Sequence, residues 1–246
     1  MPPGISPAIS YSVATMNDQH ISFLRRRVLV RHHPSAFLLA AQLLSLVLYA
    51  AFDGIHSGRA LLGALSVLVL ALAVWVVNRS PAINWIAWVI AIPAFVLSLL
   101  SALFVDPTLL AWSSLLEAAL YFYTAGSLIA YMMQDHRVTA DELFAAGATF
   151  TLIAWGFAYA YLVCQTWYPG SFVGATHPGE PRTFIELLFL SFTNLSAVGL
   201  GDILPIASAA RVLVMLEQFA GVAYIAVVVS RLIGLTIVRR ARKGEL

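Results

Sequence analysis

Residues 193–205 read Thr-Asn-Leu-Ser-Ala-Val-Gly-Leu-Gly-Asp-Ile-Leu-Pro. Gly199 and Gly201 alternate with Val198 and Leu200, and Asp202 follows. Glycine adopts dihedrals that a Cβ resists, so an alternating run can turn successive carbonyl oxygens to one side, as a cation path lined by backbone requires. The carbonyls of Ala197, Val198, Gly199 and Leu200 are the expected ligands of a dehydrated cation, and Gly201 completes the run. Thr193 and Ser196 would support it, Val198 would pack its side chain behind it, and Asp202 would concentrate cations at the outer mouth. The plainer alternative is a glycine-rich loop joining two membrane helices.

Working outward, the flanks decide between these. Residues 166–181 contain Pro169, Gly170, Gly174, Pro178, Gly179 and Pro181, too broken to continue a span. Thr183-Phe-Ile-Glu186 then matches a capping box, threonine as N-cap and glutamate three residues on. The helix it opens, about 183–194, is too short to cross a bilayer, which takes about 20 apolar residues. A helix ending at mid-membrane directs partial negative charge at its C-terminus. Irregular backbone after it is tolerated only where protein or a water-filled path surrounds it. The expected element is therefore a re-entrant helix followed by a carbonyl-lined loop.

The rest of the chain fits a membrane setting. It is 61% hydrophobic and 11% charged, with mean hydropathy +0.86, against about 25% charged for soluble domains. Candidate spans are 35–52, 60–77, 85–105, 109–133, 143–165 and 208–235. The fold expected is an all-α membrane protein of six transmembrane helices, with the re-entrant helix and loop between the fifth and sixth. Asp106-Pro107 ends the third span, and Thr108 is the expected N-cap of the fourth. Pro93 is expected to kink the third. Domains divide as a cytosolic tail 1–34, a four-helix unit 35–134, a pore unit 143–238 and a basic tail 239–246.

With the N-terminus inside, Arg25, Arg26, Arg27, Arg31, Arg79, Arg137, Arg239, Arg240, Arg242 and Lys243 fall on the cytoplasmic side, against Arg59, Arg182 and Arg211 outside. That asymmetry places both termini in the cytoplasm. The basic ends suit an anionic lipid leaflet rather than nucleic acid. Trp75, Trp85, Trp88, Trp112 and Trp167 fall near span ends, whereas mid-span Trp155 is expected to pack. The lone Cys164 excludes an intrachain disulfide and is expected to be a buried structural thiol. His32 and His33 read as part of a solvated basic flank.

Residues 143–238 resemble the two-helix pore domain of the potassium-channel superfamily, and the six-span layout resembles its six-helix members. Where the family has Thr-Thr-Val-Gly-Tyr-Gly-Asp, this chain has Ser196, Ala197, Val198, Gly199, Leu200, Gly201 and Asp202. The resemblance implies a homotetramer in the plasma membrane, a bacterial inner membrane given the compact loops, with permeant K+ and no bound cofactor. It also implies that Gly221, 22 residues after Gly199, sits where the family's inner helix bends; a glycine there equally serves close helix packing. Ala197 lacks the threonine hydroxyl that completes the innermost ion site, and Leu200 lacks the tyrosine hydroxyl that helps hold the filter open. Asp202, often tied by a pore-helix tryptophan or glutamate, faces a helix offering Phe189, Leu190 and Ser191. A cation filter less strictly held is expected.

Two carboxylates lie within spans, Glu117 and Glu217, and such residues are functional candidates because charge in lipid is expensive. Glu117 would face a protein crevice or reach the outer interface. Glu217 would bond the back of the filter or pore helix, with Thr193 and Asn194 as candidate partners, or face the cavity. The fourth span carries none of the regularly spaced arginines of a voltage sensor. Val238 to Leu246 leaves little room after the sixth span, so gating by a fused ligand-binding domain is not expected. The chain has no nucleophile–base pair or phosphate loop, and its six histidines lack metal-ligand spacing, so an enzyme is not expected. A non-conducting membrane scaffold that keeps the pore fold, and a transporter built on a filter-like loop, are the competing readings.

Overall fold

The computed structural model describes residues 34–52, 69, 71–75, 84–104, 106–134, 140–231, 233, 234 and 237. The expected tails, most of the second span and the basic residues that set orientation, apart from Arg182 and Arg211, lie outside these. The described chain is mostly helical. Helices α1 (Pro34–Phe52), α2 (Asn84–Phe104), α3 (Pro107–Gln134) and α4 (Ala140–Trp167) precede strand β1 (Phe172–Gly174) and the short helix α5 (Phe184–Leu195). Strand β2 (Ile203–Pro205) and helix α6 (Ser208–Tyr224) complete the order, and a π-helical turn over Ile225–Val229 follows α6. Among the described residues three helices are long and apolar enough to cross a membrane: Pro107–Gln134, Asp141–Trp167 and Ser208–Val228.

Local chemistry accounts for the helix ends. α3 starts at Pro107, whose fixed φ and missing N–H suit the first helical position. The Asp106 carboxylate accepts from the Thr108 N–H at 2.8 Å. Asp106 is thus the cap, correcting the expectation for Thr108, because proline takes the position between them. α2 runs unbroken through Pro93.

α4 is the central element. From Thr151 to Tyr159 every residue is buried, as for a helix enclosed on all sides. Trp155, expected to pack in mid-span, is fully buried. α3 lies along α4 in the most extensive helix pair of the described chain, and α1 also packs on α4. α2 turns Trp85, Trp88, Ile92, Phe95, Leu99 and Leu103 outward. An apolar stripe of that extent on a helix surface suits contact with lipid.

Polar ties fix α1 against α4. The Asp141 carboxylate accepts from the Ser35 N–H at 3.2 Å, the Ser35 hydroxyl at 3.1 Å and the Tyr131 hydroxyl at 3.4 Å. One acid thereby caps the start of α1 and holds the end of α3. Higher up, Thr151 donates to the Gln42 side-chain oxygen at 2.7 Å. Replacing Asp141 by alanine leaves these buried donors unpaired and is expected to cost about 1–3 kcal/mol. The readout is a lower Tm in detergent; an unchanged Tm would remove Asp141 from this role.

Candidate functional site

The capping box read from Thr183-Phe-Ile-Glu186 is formed. Thr183 is the N-cap of α5; its hydroxyl accepts from the Glu186 N–H at 3.4 Å, and its own N–H donates to Glu186 Oε2 at 2.7 Å. Two orphan donors of the first turn are thereby satisfied. Phe184, the next residue, is gripped by aromatic rings: Tyr159 at 4.6 Å, Trp155 at 5.8 Å and Tyr49 at 6.0 Å between centroids. α1 and α4 thus set where the short helix begins.

Arg182, which the sequence reading used only to count charge on the outer side of the membrane, has a structural role that reading did not foresee. It is 4% exposed. Its guanidinium donates to the carbonyls of Thr176 (2.9 Å), His177 (2.5 Å) and Glu180 (2.6 Å) and pairs with Glu186 at 3.2 Å. Gln165 of α4 clamps the Arg182 backbone, accepting from its N–H at 2.7 Å and donating to its carbonyl at 2.9 Å. A planar five-donor group can gather several carbonyls in this way. Residues 176–180 are therefore wound around one side chain, and a Cβ at Gly174 would lie 2.1 Å from the guanidinium.

α5 ends at Leu195, and the backbone then folds back on it. The N–H of Ala197 donates to the Asn194 carbonyl at 3.0 Å. Those of Val198 and Gly199 both donate to the Thr193 carbonyl, at 2.8 and 3.0 Å. Positive φ alternates through Ala197 (60°), Gly199 (57°) and Gly201 (74°). Residues 196–202 are all exposed and non-helical. Among the described residues no hydrogen bond ends on the carbonyls of Ala197 to Gly201. The N–H groups of Ala197, Val198 and Gly199 are turned toward α5, while these carbonyls remain unpaired. Ala197 holds a left-handed conformation despite its Cβ, a strain of about 1–2 kcal/mol. Val198 is 62% exposed, so the packing expected behind the loop is not made within its own chain.

Beyond the loop, β2 pairs antiparallel with β1, Phe172 opposite Pro205 and Gly174 opposite Ile203. The Ala175 N–H donates to the Asp202 carbonyl at 2.9 Å, and the Ile206 N–H to the Ser171 carbonyl at 2.8 Å. This ribbon was not foreseen, since 166–181 reads only as broken loop. Asp202 is exposed on a cavity of about 350 Å³ that Gly174, Thr176, Glu186 and Phe189 also line. Its carboxylate has no hydrogen-bond partner among the described residues; of the residues the short helix offers in place of a tryptophan or glutamate, Ser191 is engaged by Ala154 and Glu217 instead.

Ser191 faces Glu217. This glutamate, fully buried on α6, is in hydrogen-bond contact with Ser191 of α5 and Tyr161 of α4. It lies behind the short helix, as one expectation had it. Of the two candidate partners, Asn194 faces Glu217 beside Ser191, whereas Thr193 donates to the Leu190 carbonyl at 2.8 Å instead. Glu117 is buried beside Tyr159 and Ser98, in a protein crevice rather than at an interface. Gly221, one turn after Glu217, would place a Cβ 2.1 Å from the Leu195 carbonyl oxygen. It permits close approach to the end of α5, and the helical irregularity comes later, at Ile225–Val229.

Residues 147–237 match the family model described as ion channel. The match begins within α4 and runs through α5, the exposed loop and α6, which supports an ion-channel pore unit in this part of the chain. No curated protein and no solved structure gives a significant match.

Gly221→Ala forces a methyl into main chain that has no rotamer with which to yield. It is expected to cost about 1–3 kcal/mol or more. Gly126→Ala, where nothing lies within 4 Å, is expected to be neutral or to stabilise by up to about 1 kcal/mol. Equal Tm shifts for the two variants would refute the close-packing role of Gly221.

Proposed function

We propose that four copies of this chain surround a shared axis and conduct K+ passively across the plasma membrane, with both termini cytoplasmic and the described helices forming part of six spans. The carbonyls of Ala197, Val198, Gly199 and Leu200 replace the ion's water shell, and Gly201 and Asp202 form the outer exit. One observation carries this reading: amides folded onto the end of α5, with positive φ alternating at residues 197, 199 and 201, leave an exposed run of unpaired carbonyls. Such a run is tolerable at membrane depth only beside water or protein, and four copies meeting at an axis supply that. The negative end of α5 points toward the same place. The ion-channel match over 147–237 supports the same reading.

A weakly selective monovalent cation channel is the second reading. Ala197 offers no hydroxyl to an innermost site, and the Asp202 carboxylate is untied within its chain. Both loosen the cage that separates K+ from Na+. Coupling to voltage is not part of either reading, since Glu117 is the only strongly ionisable side chain of α3.

Purified protein in liposomes is expected to release K+ down its gradient and to be blocked by barium. Absence of flux would contradict the channel reading and favour the non-conducting scaffold. Reversal potentials in mixed K+ and Na+ are expected to show K+ preference below that of strict filters; a ratio near unity selects the second reading. Conductance is expected to vary shallowly with voltage, and a steep curve carrying several gating charges would contradict the reading of the first helices.

A further inference from the structure

Tyr161, Glu217 and Ser191 join three helices at one buried point. The Tyr161 hydroxyl of α4 meets Glu217 Oε2, and the Ser191 hydroxyl of α5 meets Glu217 Oε1. Ser191 Oγ also lies 2.7 Å from the Ala154 carbonyl of α4. A serine hydroxyl has one hydrogen, and a carbonyl has none to give. If Ser191 donates to Ala154, its contact with Glu217 needs a hydrogen from the carboxyl group. If it donates to Glu217, the contact with Ala154 has none. Only a carboxyl group bearing its own hydrogen fills all three contacts in series.

Charge leads to the same assignment. Glu217 is 0% exposed, and no arginine or lysine bonds it among the described residues. The groups facing it are Tyr161, with Cys164 nearby on α4, and the neutral Ser191 and Asn194 on α5. A carboxylate buried without a countercharge is unfavourable, whereas the neutral acid is fully bonded.

We propose that Glu217 is a neutral carboxylic acid in the native protein and a positioning residue for the filter. It accepts from Tyr161 and donates to Ser191, which donates to Ala154. This series ties α6 to the back of α5 one turn above Gly221, and so holds the base on which residues 196–201 stand. The flux readout rests on the channel reading of the previous section; the spectroscopic readout does not.

Glu217→Gln tests it, because an amide can accept from Tyr161 through its oxygen and donate to Ser191 through its nitrogen. Infrared spectra of wild-type protein in liposomes at neutral pH are expected to show the carbonyl stretch of a protonated acid. That band is expected to vanish in E217Q and persist in E117Q. E217Q is expected to keep wild-type Tm and K+ flux, whereas Glu217→Ala lowers flux by about tenfold, the scale of a buried polar group left unpaired. If E217A does not fold, the infrared comparison still decides. Absence of the band from wild type, or E217Q failing as E217A does, would overturn the proposal. A band present in a protein that conducts nothing would retire the channel reading and leave Glu217 as assigned.

Discussion

The Thr193 carbonyl accepts two main-chain hydrogens, from Val198 at 2.8 Å and Gly199 at 3.0 Å, and the rest of the site depends on that pair. A helix leaves its last carbonyls without partners, and α5 satisfies them with the amides of the residues that follow. Those amides can no longer face outward. The oxygens of the same peptides are left exposed, with left-handed turns at 197, 199 and 201 keeping the path extended. Helix capping thus leaves unpaired the carbonyls of Ala197 and Val198, two of the four proposed to hold a cation.

The surrounding structure holds both ends of that short element. At its start, the capping box, the aromatic grip on Phe184 and the Arg182 hub fix position and direction. At its end, Gly221 lets α6 approach the Leu195 backbone, and Glu217 reaches Ser191 one turn away. Beyond the loop, the β1–β2 ribbon anchors its last residues to a segment wound around Arg182. α1 and α3 contribute by packing on α4 of their own chain, which carries Gln165, Tyr161 and the ring of Trp155. α1 and α3 thus touch the supports of the loop through α4, by packing.

Much of this was legible in the sequence where the signal is local. A capping box is four consecutive residues, and the spacing of Gly199 and Gly201 declares positive φ directly. Apolar runs of membrane length also speak for themselves. The rest depends on contacts between distant residues. Arg182 sits in a polar, proline-rich loop, where an arginine ordinarily reads as solvated; only the convergence of the Thr176, His177 and Glu180 carbonyls turns it into a core residue. Three-residue strands carry too little pattern to announce a ribbon. Of the partners read for Glu217, Asn194 faces it, Thr193 does not, and Ser191 was missed, because a sequence gives a helix face only to within a neighbouring turn. Ala197 shows the limit differently: its missing hydroxyl was read, but its left-handed backbone was not, since nothing about alanine asks for one.

Whether unpaired carbonyls hold an ion is open to direct observation. Carbonyl-13C labels at Val198 and Gly199, placed in protein reconstituted in liposomes, would be followed by solid-state NMR while K+ is exchanged for a large organic cation. Both resonances are expected to shift with K+ and to return on its removal, with labels at buried Ala154 unmoved. Carbonyl resonances at 198 and 199 indifferent to K+ would contradict the central claim.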